Sequence, residues 1–214
     1  VLLQKAGNRL FVHANDAGLY ELTGSRFRFI EGSGFLANDE IKVVLPFPDN
    51  RILVGALESG LFIYDGNGFV PWSVPASEEI RNAEINIGIL LDGKFFIGTI
   101  AGGLYILNKE GRLLHHLHTG NHLQNNTVLA LKPDQSGNLW VCLDKGIDYV
   151  QLGNQLDLYL DRTGRLGSVY AAASSGDELY IGTNHGLFRF GPDPAAGPGE
   201  PVMLPGSNGQ VWNL

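Results

Sequence analysis

The sequence is poor in cysteine and in charged residues. Of its 214 residues only Cys142 is a cysteine, which excludes an intrachain disulfide framework and a multi-cysteine metal site. Charged residues make up 17% of the chain, and 22 acidic against 15 basic side chains give a formal net charge of −7. Such a surface repels phosphate backbones and argues against nucleic-acid binding. No apolar run is long enough to cross a bilayer, so no membrane contact by this segment is expected.

Helical patterning is also lacking. No stretch repeats apolar residues at intervals of three and four, so the sequence predicts neither an amphipathic helix nor a coiled coil. The chain instead contains 29 glycines and 10 prolines, which indicate frequent turns. With 44% hydrophobic residues, it is apolar enough to fold around a core. Together these features predict an all-β protein with many short strands.

A recurring glycine organises the sequence. A Gly followed by Leu or Ile returns at intervals of 42, 43, 43 and 40 residues, at Gly18, Gly60, Gly103, Gly146 and Gly186. Around each glycine lie a short apolar strand, a tight turn and a second apolar strand. A period of about 40–45 residues with four short strands is typical of a β-propeller blade. The sequence therefore predicts a β-propeller of four-stranded antiparallel blades, with about five repeats present.

The repeat predicts where each blade begins. The whole chain, residues 1–214, is expected to form one propeller segment with blades at 1–40, 41–84, 85–126, 127–168 and 169–209, and with a further blade beginning at 210–214. In the second blade the predicted strands are Ile41–Phe47, Ile52–Ala56, Leu61–Tyr64 and Phe69–Val74. Five blades could close alone, but the start of a further inner strand at 210–214 favours part of a larger propeller. A seven-bladed ring would need about 300 residues at this period.

Glycine occupies two positions of the repeat for different reasons. The recurring glycines described above end tight turns, where a positive φ angle is easily adopted only by glycine. A second column contains Gly55, Gly98 and Gly182 within a strand, where a missing side chain lets adjacent blades approach closely. His13 and Cys142 fill this column in the first and fourth repeats, so Cys142 is predicted to be a small buried residue.

The fourth repeat carries the most specific motifs. It reads Leu123-Gln-Asn125-Asn126-Thr-Val128, then Asp134-Gln-Ser-Gly137-Asn138-Leu139-Trp140-Val141, and then Gly146-Ile147. This text resembles the two-component regulator propeller repeat, whose blades follow L-x-N-x-x-V, D-x-x-G-x-L-W-V-G-T and G-L. The resemblance covers essentially the whole chain, blade by blade. The chain departs from the pattern in having Cys142-Leu143 in place of Gly-Thr, and one extra residue before the recurring glycine in the first three repeats.

This resemblance implies a role in sensing. Repeats of this family form the periplasmic sensor regions of hybrid two-component systems, in which tandem propellers precede a β-sandwich, a membrane helix, a histidine kinase and a response regulator. Many such sensors detect oligosaccharides. The resemblance therefore implies a periplasmic ligand-sensing propeller, which binds a small molecule such as an oligosaccharide and contacts neighbouring propeller or sandwich domains. A homodimer is compatible with such a sensor, and neither enzymatic activity nor a cofactor is implied for this segment.

Ligands of propellers usually bind on the face formed by the loops between blades and by the turn between the two middle strands of each blade. The predicted ligand-binding residues are polar side chains in those places: His118, His122, Asp144, Lys145, Asn184 and His185. Solvated turns also need polar residues, and this alternative stays open. Asn125 is instead expected to cap a turn through its side chain. No catalytic residue is predicted, because neither a G-x-S-x-G motif nor a phosphate-binding loop occurs.

Histidine and tryptophan suggest further sites. His116 and His118 lie two residues apart on a predicted strand, a spacing that can chelate a metal. No acidic residue or cysteine lies close to them in the sequence, so no metal site is predicted. Trp140 and Trp212 fall within predicted strands and are expected in the core. Trp72 lies on an outer strand, where it packs under the next blade or stacks on a sugar ring.

Two other classes of function remain open. Streptogramin lyases are propellers with related repeats, and they use a histidine and a divalent cation. Convergent His, Asn and Glu side chains on inner loops would indicate such an enzyme. A protein-interaction scaffold would instead dock a partner on the blade faces. The fold alone does not separate these alternatives from a sensor.

Overall fold

Antiparallel meanders make up the computed structural model, which describes residues 2–14, 16–153, 161, 163–176, 178–191 and 201–214. In each of its five sheets, every strand pairs with the strand that follows it in the chain. The chain divides into two compact units, residues 1–154 with four sheets and residues 155–214 with one. Four sheets have four strands, and the fourth sheet has three among the described residues. The predicted all-β propeller fold is confirmed.

The first two sheets cover residues 2–71. The first sheet comprises β1 (Leu2–Ala6), β2 (Arg9–Ala14), β3 (Gly18–Thr23) and β4 (Arg26–Phe29). The second comprises β5 (Ile41–Phe47), β6 (Arg51–Ala56), β7 (Gly60–Tyr64) and β8 (Phe69–Pro71). The first strand of each sheet is the inner strand of its blade, and the inner strands β1 and β5 contact each other.

The remaining sheets follow the same order. The third comprises β9 (Ile85–Leu91), β10 (Lys94–Thr99), β11 (Leu104–Asn108) and β12 (Leu113–Leu117). The fourth comprises β13 (Val128–Pro133), β14 (Leu139–Leu143) and β15 (Ile147–Val150). The sheet of the second unit comprises β16 (Val169–Ser175), β17 (Glu178–Thr183), β18 (Leu187–Phe190) and β19 (Val202–Met203).

The strand positions follow the repeat closely. In the second blade the first three strands begin within one residue of their predicted starts and end where predicted. The outer strand is shorter than predicted, because β8 ends at Pro71 and not at Val74. The N–H of Trp72 still donates to the carbonyl of Leu61 at 2.9 Å, and the chain then turns away as the carbonyl of Pro71 accepts the N–H of Ser73 at 3.0 Å.

Helical structure is present, contrary to the prediction of none. Helix α1 (Ser77–Asn82) lies between the second and third blades, and a 3₁₀ turn spans Ser33–Leu36. The Ser77 hydroxyl accepts the N–H of Val74 and donates to the carbonyl of Trp72, both at 2.7 Å. A helix of six residues with one buried apolar residue, Ile80, is too short to show periodicity in the sequence. No helix in the described part of the chain is long and apolar enough to span a membrane.

The hydrophobic cores lie between neighbouring sheets of the first unit. Ile52 belongs to the core shared by the first and second sheets, and the next residue, Leu53, belongs to the core shared by the second and third. In the same way Phe95 packs toward the second sheet and Phe96 toward the fourth. Both faces of the middle blades are therefore covered, which explains why their strands are continuous apolar runs.

Both glycine columns have the predicted backbone roles in this unit. Gly60 has φ 91°, a conformation that side chains disfavour. A Cβ atom on Gly98 would lie 2.6 Å from Cγ1 of Val128 in the following blade, so only glycine fits there without movement. His13 occupies this column with 4% exposure, whereas Cys142 is only partly buried and the prediction of a buried cysteine is wrong.

Candidate functional site

One edge of the first unit is formed by the loops between its blades and by the turns between the middle strands. The N–H of Leu57 donates to the carbonyl of Glu40 at 2.9 Å, and the N–H of Asp144 donates to that of Thr127 at 3.0 Å. Each middle turn is thus tied to an inter-blade loop, and the two kinds of segment lie side by side. We call this surface the loop edge; it comprises residues 30–40, 57–59, 72–84, 100–103, 118–127 and 144–146.

A carboxylate holds the loop edge together between the first two blades. Asp39 Oδ1 accepts the N–H of Glu58 at 3.1 Å, and its Oδ2 accepts the N–H of Ser59 at 2.8 Å. Nearby, the buried Ser33 hydroxyl accepts the N–H of Leu19 at 3.0 Å. Carboxylate bonds to backbone N–H groups are among the stronger hydrogen bonds in proteins. These polar side chains therefore fix the loops in place.

His118 and His122 lie in the loop that follows β12. The carbonyl of His118 accepts the N–H groups of Asn121, His122 and Leu123, each at 3.0 Å, which closes a tight turn. The ring Nδ1 of His118 accepts the N–H of Gly120 at 3.0 Å. Leu123 is buried and anchors the loop, whereas the ring of His122 is exposed. Of the two predicted ligand residues, His122 is the more open to a ligand.

His116 belongs to a polar cluster between α1 and the third blade. Its Nε2 lies 2.6 Å from the carbonyl of Gly102, its Nδ1 lies 3.5 Å from Glu79 Oε1, and its ring stacks on Tyr105 at 3.9 Å. The Tyr105 hydroxyl donates to Glu79 Oε1 at 3.0 Å, and burial together with the Glu79 charge raises the pKa of Tyr105. Among the described residues, no three His, Cys, Asp or Glu side chains are grouped so as to hold a metal ion.

Asp144 and Lys145 form the exposed turn between β14 and β15. The preceding loop packs against this hairpin through Gln124, whose Nε2 donates to Asp148 Oδ1 at 2.6 Å and whose N–H donates to Asp148 Oδ2 at 2.9 Å. The loop that carries His122 and the turn that carries Asp144 and Lys145 are therefore neighbours. The structure brings these three predicted side chains to one part of the loop edge.

Asn125 caps the turn before β13. Its Oδ1 accepts the N–H of Thr127 at 2.8 Å, and the Thr127 hydroxyl donates to the carbonyl of Ile100 at 2.8 Å. The predicted capping role of Asn125 is confirmed.

Asn184 and His185 lie in the second unit, between β17 and β18. Asn184 Oδ1 accepts the N–H of Ser168 at 2.7 Å, and His185 Nδ1 lies 3.1 Å from the carbonyl of Arg165. The N–H of His185 donates to the Thr183 hydroxyl at 3.0 Å. Both predicted ligand residues therefore also hold the segment before β16 in place. The His185 ring remains exposed.

Two of the three tryptophans are not where the sequence places them. Trp140 is 45% exposed and Trp212 is 60% exposed, so the prediction that both are core residues is wrong. Leu139 and Val141 flank Trp140 and are fully buried, so strand alternation turns Trp140 to the opposite face. Trp72 does pack under the next blade, as one of its two predicted roles requires, with its ring 5.5 Å from that of Phe95.

A small cavity lies at the edge of the first unit opposite the loop edge. Its volume is about 150 Å³, and it opens between the β9–β10 and β13–β14 turns. Its lining residues are Leu91, Asp92, Lys94, Phe96, Ser136, Gly137, Leu152 and Gly153. None of the predicted ligand residues lines it, and a volume of this size suits only a small molecule.

Known structures share the fold. The extracellular domain assigned to the one-component system BT4673 from B. thetaiotaomicron is 18% identical, with a TM-score of 0.53, over 96% of this chain and 30% of that domain. The extracellular domain assigned to the hybrid two-component system BT3049 from the same organism is 16% identical, with a TM-score of 0.58, over 96% of this chain and 29% of that domain. This chain thus spans about three tenths of the length of those domains.

The similarity extends to propellers of other kinds. The WD40 β-propeller domain of Doa1 is 14% identical, with a TM-score of 0.51, over 90% of this chain and 64% of that one. No protein-family model matches the sequence, and no curated protein matches it. At these identities the similarities establish the β-propeller fold.

Proposed function

We propose that this chain is part of an extracytoplasmic ligand-sensing propeller of a two-component signalling protein. The observation that carries the proposal is the similarity of 96% of the chain to extracellular domains of two signalling systems, at TM-scores of 0.53 and 0.58. The repeat motifs of the fourth blade support it independently. The ligand in this proposal is an oligosaccharide, the location is the periplasm, and the kinase lies outside this chain.

The proposed assembly is larger than the chain. The repeat period suits a seven-bladed ring, flanked by further propeller or sandwich domains and able to form a homodimer. Residues 210–214 would begin a further inner strand, because Val211 packs on Gly182 as Val128 packs on Gly98. A Cβ placed on Gly182 would lie 2.9 Å from Val211 Cγ1, and one placed on Gly98 would lie 2.6 Å from Val128 Cγ1. Ligand binding would then shift the packing between these domains toward one of two states.

The loop edge supplies side chains suited to a neutral, hydroxyl-rich ligand. His122, Asp144 and Lys145 are exposed on neighbouring loops, and together they offer both hydrogen-bond donors and acceptors. His118 borders them, and Asn184 and His185 occupy the equivalent turn of the second unit. Sites of this kind place a few polar groups on a rigid scaffold, which the inter-blade cores provide here.

The proposal assigns binding without turnover to this segment. A lyase would need histidines free to act on a substrate, and His116 and His118 have the spacing in the sequence that can chelate a metal. The ring nitrogens of His116 contact Gly102 and Glu79, and Nδ1 of His118 contacts Gly120. These contacts support a role in holding the loops. An incubation with oligosaccharide, followed by chromatography of the products, would detect cleavage and so contradict this assignment.

Calorimetric titration with linear oligosaccharides tests the sensing role. The panel would contain hexasaccharides of glucose in α-1,4 and β-1,4 linkage, of xylose and of arabinose. We expect one of them to bind, and we expect Lys145→Ala to weaken its binding by at least about fivefold, as the loss of a charged hydrogen bond does. Lys109→Ala, which changes another exposed lysine in the β11–β12 turn at the other edge, is the control. Failure of every sugar to bind would overturn the proposal.

A further inference from the structure

Two aromatic rings are stacked and exposed in the second unit. The rings of Tyr170 and Trp212 lie 4.1 Å apart with an angle of 15° between their planes. Trp212 is 60% exposed and Tyr170 is 38% exposed. Neighbouring exposed aromatic rings form an apolar patch, which is a candidate for a binding surface.

A β-bulge presents Tyr170. In the pairing of β16 with β17, Val169 lies opposite Thr183 and Ala171 lies opposite Gly182, so Tyr170 is an extra residue with no partner across the sheet. Bulges of this kind re-aim a side chain away from the regular face of a sheet. The ring of Tyr170 is thereby turned onto Trp212.

Both rings lie beside the predicted ligand residues of the second unit. Val211, which precedes Trp212, donates its N–H to the carbonyl of Thr183 at 2.9 Å. Thr183 also pairs with the neighbour of Tyr170 and immediately precedes Asn184 and His185. Thr183 of β17 thus connects the aromatic pair to the side chains of Asn184 and His185 at the same end of the sheet.

Three inner strands of the first unit carry a corresponding bulge, and two of the extra residues have polar side chains. The extra residue of β5 is Lys42, whose Nζ contacts Glu40 Oε2 at 2.5 Å. In β9 it is Asn86, whose Nδ2 donates to the carbonyl of Val128 at 2.9 Å. Those two side chains bond to their own fold. Leu129, the extra residue of β13, is 50% exposed, and Tyr170 likewise contributes to an exposed apolar surface.

We propose that Tyr170 and Trp212 form a stacking platform for a pyranose ring of the ligand, an assignment that rests on the proposed saccharide-sensing function. The C–H face of a pyranose is flat and apolar, and it matches an exposed aromatic ring. Its hydroxyl groups need donors and acceptors at the rim. The net charge of −7 disfavours the other common flat ligands, nucleotides, because they carry phosphates.

The rim supplies those hydrogen bonds. Asn184 uses Oδ1 to accept the N–H of Ser168, which leaves its Nδ2 as a donor without a partner among the described residues. His185 Nδ1 lies 3.1 Å from the carbonyl of Arg165, and in the tautomer that carries its proton there Nδ1 donates to this carbonyl. The Nε2 of this exposed ring is then an acceptor for a hydroxyl group.

Substitution of Trp212 tests the platform. The probe is whichever hexasaccharide of the panel above binds the wild-type chain, measured by calorimetry. We expect Trp212→Ala to weaken binding by at least about tenfold, as truncation of an aromatic anchor does, and Trp212→Phe to restore most of it. Trp140→Ala removes another exposed tryptophan that contacts a tyrosine, Tyr149, at 4.7 Å between ring centroids with the planes tilted by 46°, and it should leave the affinity unchanged. Circular dichroism melting confirms that each variant is folded.

The outcomes separate the platform from the sensing role. If the wild-type chain binds a sugar and Trp212→Ala binds it equally well, the platform is overturned and the sensing role stands. If Trp140→Ala weakens binding as much as Trp212→Ala, the effect is not specific to the platform and the assignment fails. If the wild-type chain binds no sugar, both proposals are overturned. Saturation-transfer NMR adds a direct readout, because the ring protons of the sugar should receive saturation in wild type and lose it in Trp212→Ala.

Discussion

The substitution Gly98→Ala measures how tightly neighbouring blades are packed. A Cβ at this position would lie 2.6 Å from Val128 Cγ1 and 2.7 Å from Ile87 Cγ2. Both distances are far below the usual van der Waals separation of about 3.5–4.0 Å between carbon atoms. Val128 is fully buried in the core between the third and fourth sheets. The added methyl group must therefore push one sheet away from the other.

The expected cost follows from two opposing effects. Overpacking a well-packed core destabilises by about 1–3 kcal/mol. Replacing glycine by alanine also restricts the unfolded chain, which stabilises by about 0.4–1 kcal/mol where the backbone conformation suits alanine. We expect a net loss of about 1–2 kcal/mol, which in a chain of this size lowers the melting temperature by about 3–6 °C.

Urea unfolding followed by circular dichroism is the assay, with Gly34→Ala as the control. Gly34 lies in the 3₁₀ turn, has no positive φ angle and has nothing within 4 Å of a Cβ placed on it. Its substitution should leave stability unchanged or raise it slightly. A Gly98→Ala variant as stable as Gly34→Ala would show that the blades separate without cost, and would refute the view that this glycine is required for close packing.

Three further perturbations test other parts of the structure. Burial lowers the pKa of His13 below its ordinary value of 6.5, so on acidification the unfolded chain takes up a proton before the folded one, and stability present above pH 6.5 should be lost as the pH falls through the lowered pKa. The urea midpoints at pH 7.5 and 5.5 should therefore differ less in His13→Gln than in the wild type. An unchanged difference would contradict the assignment. Asp39→Ala should cost about 1–2 kcal/mol and speed hydrogen exchange at the amide of Ser59, and an unaltered exchange rate would rule out the carboxylate bond. Trp72→Ala should cost about 3–5 kcal/mol in thermal unfolding, whereas a loss below about 1 kcal/mol would mean that the ring is not packed as described.

The sequence predicts well whatever the repeat imposes on every blade. Strands β5, β6 and β7 lie where the pattern places them, because apolar runs and turn residues recur at constant spacing. Helix α1 escapes prediction because it occurs in one inter-blade loop and is held by contacts distant along the chain, such as that of Tyr105 with Glu79. Local features specific to one repeat leave no periodic signal.

The candidate site was only partly predictable for the same reason. The loops that carry His122 and Lys145 could be located, because propeller topology brings inter-blade loops and middle turns to one edge. The exposure of Trp212 could not, because a tryptophan within a predicted strand is expected in the core. The bulge at Tyr170 depends on a one-residue mismatch between β16 and β17, which the sequence of neither strand reveals.

The position of the hydrophobic cores decides how the first unit can come apart. Each hydrophobic core is shared by two sheets, so the cooperative unit of unfolding is the interface between neighbouring sheets, here called the gap. A single sheet on its own has no core to stabilise it. Stability then accumulates in steps as each added repeat closes one more gap, in the manner of a one-dimensional chain of coupled neighbours. A lesion within one gap weakens two blades and leaves distant ones intact. Such a scaffold can gain or lose whole repeats while the remaining gaps keep their packing.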